Sequence, residues 1–487
     1  MQSVDLLIIG GGINGTAIAC EAASRGLSTL LAEARDISGG ASSSTTGLLS
    51  AGLRQLETLE WDSVKRALNE QALLRERAPH LVRCREFHIA PNPAVRSTRR
   101  IKAGLYLYNL IQSTEVQQPL AVNTPELYLK PAFNNSLTFN DCTVSDSRLT
   151  LSNALLAREL GADIRTRHKV VEARRQGGLW QVCIQPGHCA QTETLQAKVL
   201  INAGGWHVND ILHNTLHLKT RCSARLLRGD HIVIRKPYAG EQAYVLQAEN
   251  KRLIYLLPYT DDYAVLGATQ TPMSEDKNHS TQQLVDIYNH YFYQPIKESD
   301  IVHHYSGVHA LYDDPTCRDA DKSPDYLLDL NCPDGNAPLM SVFGGWLTTH
   351  RLLAEQALDI LQPYTKAAIN HDFKHTVLPG GEIAEGNCEA FLEELQRAYP
   401  RQDKSLLHRL ASNYGTLAYQ VLEDSQTTED LGQHFGCGLY GAEVRYLCHN
   451  EWAQTADDIL WRRTKLGLIM SDTEKAQLAE WLTYSFE

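Results

Sequence analysis

The chain opens on an apolar run, Val4 to Ile9, broken only by Asp5 and short enough for a buried parallel strand. Three glycines follow. From about Asn14 to Arg25 the apolar positions take a helical period, with Ile18, Ala19 and Ala22 on one face, and Gly26 suits the stop. Ser28 to Ala32 is a second apolar run, ending at Glu33. Strand, helix and strand in this order predict a βαβ unit.

Residues 35–52 are small and polar, and a helical period returns from about 54 to 78. Residues 90–145 are mixed, divided by Pro91, Pro93, Pro119, Pro125 and Pro131. A helix is expected near Ser147 to Leu160. Strands are expected near Ala162 to His168 and within LWQVCI and ETLQAKVLINAGG. Between about 222 and 310, runs such as HIVIR, RLIYLLP and YAVLGAT predict a second, sheet-based unit. TVLPGGEI, after His375, reads as a linker, and the chain from about 385 onward reads as helical.

The glycine cluster carries the first chemistry. Gly10-Gly11-Gly12-Ile13-Asn14-Gly15 fits GxGxxG, a pattern that is weak alone. Here a strand precedes it, a helix follows it, and Glu33 lies 18 residues beyond Gly15 at the end of the next strand. The glycines permit a tight turn and close backbone approach to a pyrophosphate. The helix start at Ile13 and Asn14 supplies free N–H groups and a positive dipole end. Glu33, with Ala34 beside it, can accept from adenosine ribose hydroxyls. The run that follows, with Ser42, Ser43, Ser44 and Leu48, suits a phosphate–ribitol chain and favours FAD over a nicotinamide cofactor. LINAGGW brings Ala203 and Gly204 beside the first strand, and Val170 is placed with the cofactor positions. In SVFGGWLTTHRLLAEQAL, Gly345, Leu347 and Thr348 precede a helix start. That start can aim N–H groups at the flavin N1–C2=O edge, which turns negative on reduction.

The expected fold class is therefore α/β + α: an FAD-binding Rossmann-like βαβ domain of the glutathione-reductase/D-amino-acid-oxidase type, a sheet-based substrate domain and a C-terminal helical domain. The flavin unit is discontinuous, at 1–80, 145–215 and 305–375. The substrate unit takes 81–144 and 216–304, and the helical unit 385–487.

Composition narrows the partners. With 46 Lys and Arg against 57 Asp and Glu among 487 residues, the net charge of −11 argues against a broad nucleic-acid surface. The 11 cysteines are scattered, odd in number and without a CxxC pair, which predicts free thiols in a reducing, cytoplasmic setting. The opening MQSVDLLIIGGG lacks a basic region and a cleavage site. No run of about 18 apolar residues exists to span a membrane. Arg83, Arg85, Arg96, Arg99, Arg100 and Lys102, against Glu86 alone, precede AGLYLYNLI. This segment suits peripheral contact with the inner face of an anionic membrane, with a solvated basic face as the alternative.

The chain resembles the FAD-dependent, respiratory glycerol-3-phosphate dehydrogenases. The match includes DLLIIGGGINGTAIACEAASRGLS, GLRQLE, DCTVSDSRL, LINAGGW, RGDHIVI, IYLLPY, YSGV, LPGG and ADDILWRRTKLG, so it runs from the first strand nearly to the end. The resemblance implies hydride delivery from a substrate C–H bond to flavin N5, with electrons passing to quinone at a membrane. The cofactor positions are largely kept, and the substrate positions are not. Arg54 remains, but Ser50 and Gln55 stand where the family has histidine and tyrosine. The family's YSGVRPL is here Tyr305-Ser306-Gly307-Val308-His309-Ala310-Leu311, and its FGGKLTTYR is here Phe343-Gly344-Gly345-Trp346-Leu347-Thr348-Thr349-His350-Arg351.

These readings give three candidate catalytic-site residues. Arg54 anchors an anionic group, His309 acts as general base, and Trp346 forms a pocket wall. His231, His350 and the His303-His304 pair read as structural, and their spacing shows no metal signature. The expected substrate is a small polar, anionic hydroxy or amino compound other than glycerol 3-phosphate, and the expected acceptor is quinone or O2. The alternatives are a genuine glycerol-3-phosphate:quinone dehydrogenase with an unusual site, and a catalytically silent FAD-binding protein. A homodimer stays open.

Overall fold

The computed structural model describes residues 2–49, 60–111, 124–125, 128–187, 189, 191–220, 222–260, 262–269, 271–313, 325–333, 335–366, 368 and 370–485. The opening βαβ unit is present as strand Ser3–Ile9, helix Ile13–Ser24 and strand Thr29–Ala32. The first strand lies between Thr29–Ala32 and strand Glu193–Asn202, parallel to both. Asp163–Arg165 extends the sheet beyond Thr29–Ala32, and Leu339–Gly344 extends it beyond Glu193–Asn202. Helices Ile13–Ser24, Asp146–Glu159 and His350–Thr365 share one buried core with Leu6, Ile8, Leu31 and Ile201. The opposite face, with Leu7, Ile9 and Leu200, is covered by Val170, Trp180, Val182 and Ile184. The central strands are therefore buried on both sides, which explains their continuous apolar runs.

A second, larger sheet is mostly antiparallel and includes strands Ser223–Arg235, Ala243–Gln247, Leu253–Pro258 and Tyr263–Gly267. Its side chains alternate between two cores. Leu246, Leu256 and Leu266 pack with helix Lys277–Tyr291, whereas Val245, Leu257 and Val265 pack with helix Thr98–Ile111. The mixed region 90–145 holds this second helix, and strand Asn135–Val144 pairs with Val82–Ile89 at its edge. Strand Ile301–Asp313 pairs along its whole length with Ser223–Arg235. Residues 305–313 thus run with the substrate sheet, whereas the sequence-based division at 305 assigns them to the flavin unit.

The C-terminal unit has its own helical core, from Ile383 through Leu482, with a short hairpin at His434–Gly436 and Leu439–Tyr440. It docks through buried charges. Arg463 donates to both oxygens of Asp36 (2.8 and 2.9 Å), and Arg148 pairs with Glu451 at 2.6 Å. The described cysteines are unbridged.

Candidate active site

The residues read as cofactor-binding converge at the C-terminal edge of the parallel sheet. Gly10 takes φ +113°, and a Cβ there would lie 2.5 Å from Ala203 O. Helix Ile13–Ser24 starts at Gly12 with no side-chain cap and no acid in its first turn, so its positive end remains available to an anion. Ile13 N–H donates to Ser42 Oγ (2.9 Å), which holds the serine turn Ala41–Ser43, followed by Ser44, over the helix start. Glu33 accepts from the N–H groups of Gly11 (2.6 Å) and Arg35 (2.7 Å). Burial raises its carboxyl pKa, and these two bonds oppose the rise. Ala34 is exposed beside it. His168 N–H donates to Glu33 O (2.7 Å), bringing strand His168–Gln176 and its buried Val170 to the same edge. Gly204 follows Ala203 at the end of its strand, and Leu48 pairs with Thr143 in the second sheet.

The turn at Gly344-Gly345 closes the cradle. Asn14 Nδ2 donates to Gly344 O (3.0 Å), and Gly345 has φ +102° with room for no Cβ, which would fall 2.6 Å from Asn14 Nδ2. Asn14 Oδ1 is buried without a partner. Leu347 and Thr348 are buried just ahead of helix His350–Thr365. A helix start whose N-cap is glycine, a buried amide oxygen lacking a donor and glycine backbone in close approach fit a bound dinucleotide.

The substrate side is one face of the paired strands Ser223–Arg235 and Ile301–Asp313. A Cβ on Gly307 would meet Ser44 O at 2.5 Å, so this face of the strand looks onto the serine run. His309 lies on the same face, with Nε2 3.5 Å from the Cβ position of Gly229. It is half-buried, and burial lowers its pKa. Buried His231 stacks on Tyr305 (centroids 4.5 Å apart) and is pushed to about 3, first by burial and then by His309. Trp346 is 41% exposed and lies beside Asp325, whose pKa burial raises, a rise that the Trp346 indole opposes. Arg54 lies outside the described residues. His350 is buried, with Nδ1 2.7 Å from Leu347 O and Nε2 3.3 Å from Asn153 Nδ2, and burial pushes it to about 3. His303 stacks on Trp461 at 4.3 Å. Both contacts agree with structural roles.

A polar network of Tyr305, Thr45, Asp146 and Lys465 escaped the sequence reading. Tyr305 Oη donates to Thr45 O (3.0 Å), and Asp146 accepts from Thr45 N–H (3.0 Å) and Oγ1–H (2.9 Å). Lys465 of the C-terminal unit reaches Asp146 (3.4 Å) and lies 4.7 Å from the Tyr259 ring centroid. Burial alone would lower the Lys465 pKa, but Asp146 and Tyr259 hold it above the usual lysine range. The only signal for Lys465 was its place in the ADDILWRRTKLG segment.

Comparison with known proteins agrees with this arrangement. Residues 5–351 match the family described as FAD dependent oxidoreductase, and residues 373–483 match the C-terminal domain of alpha-glycerophosphate oxidase. A glycerol-3-phosphate dehydrogenase of Pseudomonas aeruginosa is 38% identical, covering 98% of this chain and 94% of that one. A D-erythritol 1-phosphate dehydrogenase of Brucella abortus is 37% identical, covering 99% and 98%. The crystal structure of a glycerol-3-phosphate dehydrogenase from Bacillus halodurans complexed with FAD superposes with a TM-score of 0.78 at 22% identity, covering 99% of this chain and 91% of that one. The chain belongs to the FAD-dependent glycerol-3-phosphate dehydrogenase family, and is an FAD-dependent oxidoreductase of that family.

Proposed function

We propose that the protein oxidises a small polar, anionic hydroxy or amino compound other than glycerol 3-phosphate. One observation carries the reading: His309 and Trp346 stand where the family has an arginine and a lysine. Burial lowers the His309 pKa, which favours the uncharged ring, and the Trp346 indole offers one donor and no charge. Two fixed positive charges are thus missing from a site that must hold a phosphate monoester in the family. The Brucella relative, named for erythritol 1-phosphate, supports substrate variation within the family.

FAD, when bound, supplies a two-electron acceptor at N5. Gly10, Gly12, Ile13, Asn14 and Gly15 would hold its pyrophosphate, and Glu33, Ala34 and Val170 its adenosine. Ser42, Ser43, Ser44, Leu48, Ala203 and Gly204 would line its ribitol chain, and Gly345, Leu347 and Thr348 its flavin edge. Arg54 would anchor the anionic group of the substrate. His309, as a neutral imidazole, would take the O–H or N–H proton as the C–H bond is oxidised. Its lowered pKa keeps it neutral to a lower pH than the usual histidine value of about 6.5. The acid limb of flavin reduction should therefore fall below that value. His309→Gln should slow reduction by about tenfold or more and abolish that limb. An unchanged rate and profile would remove His309 from the role.

The test is anaerobic mixing of the FAD-loaded enzyme with glycerol 3-phosphate, then with hydroxy acids, amino acids, amines and phosphonates. Rapid bleaching by glycerol 3-phosphate would refute the altered-substrate reading. Bleaching by none, with dithionite reduction intact, would favour the silent protein.

The acceptor reading, quinone or O2, rests on family membership and on one surface. Helix Thr98–Ile111 buries Leu105 and Tyr108 while Tyr106 and Leu110 are 58% and 60% exposed beside exposed Arg99, Arg100 and Lys102. Arg85 belongs to this patch in sequence but is paired with Glu241 in the structure. Among the described residues no helix is long and apolar enough to cross a membrane. The exposed face supports peripheral binding. The protein should co-sediment with vesicles containing anionic lipid, and Tyr106→Ser with Leu110→Ser should release it. Equal sedimentation with neutral vesicles, or none, would count against this surface.

A further inference from the structure

We infer that Arg225 is a second anion-binding residue of the substrate site, and that it receives a carboxylate or phosphate group through its guanidinium fork. This deepens the proposed function and rests on its reading of the pocket face. Strands Ser223–Arg235 and Ile301–Asp313 are antiparallel, with Arg225 opposite Leu311, Leu227 opposite His309, Gly229 opposite Gly307 and His231 opposite Tyr305. The register shifts only between Val233 and Ile234, so the alternation of faces holds from Arg225 to His231. Three contacts fix which face this is. His231 stacks on Tyr305, a Cβ on Gly229 would touch His309, and a Cβ on Gly307 would meet Ser44 O. Positions 225, 227, 229 and 231 therefore share the face that looks onto the serine run. Leu227 is directly across from His309, and Arg225 lies one same-face step farther, roughly 7 Å along the strand. An arginine side chain spans such a distance.

The state of Arg225 points to a ligand. It is half-buried, and its Nε is buried without a hydrogen-bond partner. Among the described residues Arg225 has no ion pair, whereas Arg148, Arg351 and Arg463 each meet a carboxylate. Arg228, on the opposite face, is taken up by Asp230 at 2.9 Å. A partly desolvated guanidinium without an acid is costly in a folded chain, and an oxyanion presenting two oxygens offsets that cost by a bidentate bond. Its position replaces, from the neighbouring strand, part of the positive charge absent at His309. The binding step is non-covalent and needs no further reactant.

The experiment uses the FAD-loaded full chain and two probes, inorganic phosphate and acetate. Each is titrated while the visible flavin spectrum is followed. We expect saturable perturbation by one probe or both, and the responding probe separates a phosphate site from a carboxylate site. Arg225→Gln should weaken the response by about tenfold or more, with FAD retained, and Arg225→Lys should restore part of it. Phenylglyoxal should modify Arg225 in the wild-type protein, and the responding anion should protect it, as read by peptide mass. This second measurement holds even if the Gln variant folds poorly. Equal anion affinity in wild type and Arg225→Gln, silence of both probes, or no protection of Arg225 from phenylglyoxal by the anion would each overturn the assignment. Because the readout is anion binding, it stands apart from the substrate panel. Rapid bleaching by glycerol 3-phosphate would sink the altered-substrate reading and leave the Arg225 result unaffected.

Discussion

Replacing His309 with Arg and Trp346 with Lys together should raise glycerol 3-phosphate oxidation by about 10–10³-fold in kcat/KM, a gain of about 10²–10⁴-fold from the restored charges reduced about tenfold by loss of the His309 base. The magnitude follows from the missing charges. A charge-assisted hydrogen bond contributes roughly 1.5–3 kcal/mol, so two restored donors supply roughly 3–6 kcal/mol of transition-state binding. The structure adds a condition. Asp325 lies beside the Trp346 indole, and its carboxylate would compete for a lysine placed at 346. The double variant should therefore gain less than the triple variant that also carries Asp325→Asn. Single-turnover flavin reduction with glycerol 3-phosphate checks the series. A wild-type rate already as fast as the variants would show that the family charges are dispensable in this pocket. No gain in the triple variant would show that shape, not charge, sets the specificity.

The opening βαβ unit and its glycine turn were legible because their parts are local. A strand, a glycine turn and a helix within some thirty residues announce the same ligand through period, turn chemistry and dipole. The closing contact was not legible, since Asn14 Nδ2 reaches Gly344 O across 330 residues. The boundary at 305 failed for a related reason. Strand Ile301–Asp313 runs unbroken through residue 305, and only its hydrogen-bond partner reveals which sheet it joins. Helix Lys277–Tyr291 was hidden because its buried stripe is narrow, with Ser280, Leu284, Val285, Tyr288 and Tyr291 facing the sheet and polar residues elsewhere. The prolines of 90–145 masked strand Asn135–Val144, although they fall outside it. At the site, the substituted residues were visible only against the family pattern. Arg225 was not, because its meaning comes from register with a strand some 80 residues away. Lys465 likewise acts from another domain.

Breaking the charged junction between the C-terminal unit and the flavin unit should cost about 3–5 kcal/mol of stability, the usual penalty for stranding one member of a buried ion pair. Asp36 is 2% exposed and accepts from Arg462 Nε (2.6 Å) and from both terminal nitrogens of Arg463. Arg463 also donates to Glu451 O (2.6 Å), and Glu451 pairs in turn with Arg148 in the first turn of helix Asp146–Glu159. Asp36→Asn removes the carboxylate that both arginines share, leaving Arg462 with Asp458 and Arg463 with the more distant Glu451 carboxylate (3.6 Å). Arg463→Met removes one positive member and strands Asp36 only in part, because Arg462 remains. Asp36→Asn should therefore be the more damaging of the two. The segment adds a second consequence. Asp36 sits three residues after Glu33, and Ser38 N–H donates to Gly11 O (3.0 Å), so the loop that holds the junction also frames the glycine turn. Asp36→Asn should lose FAD at lower denaturant than wild type, whereas a surface control such as Glu393→Gln should not. Urea unfolding followed by flavin release and by tryptophan fluorescence reads both effects. Equal midpoints for wild type and Asp36→Asn would mean that apolar contacts alone hold the junction. A stability loss without earlier flavin release would confine the network to domain docking.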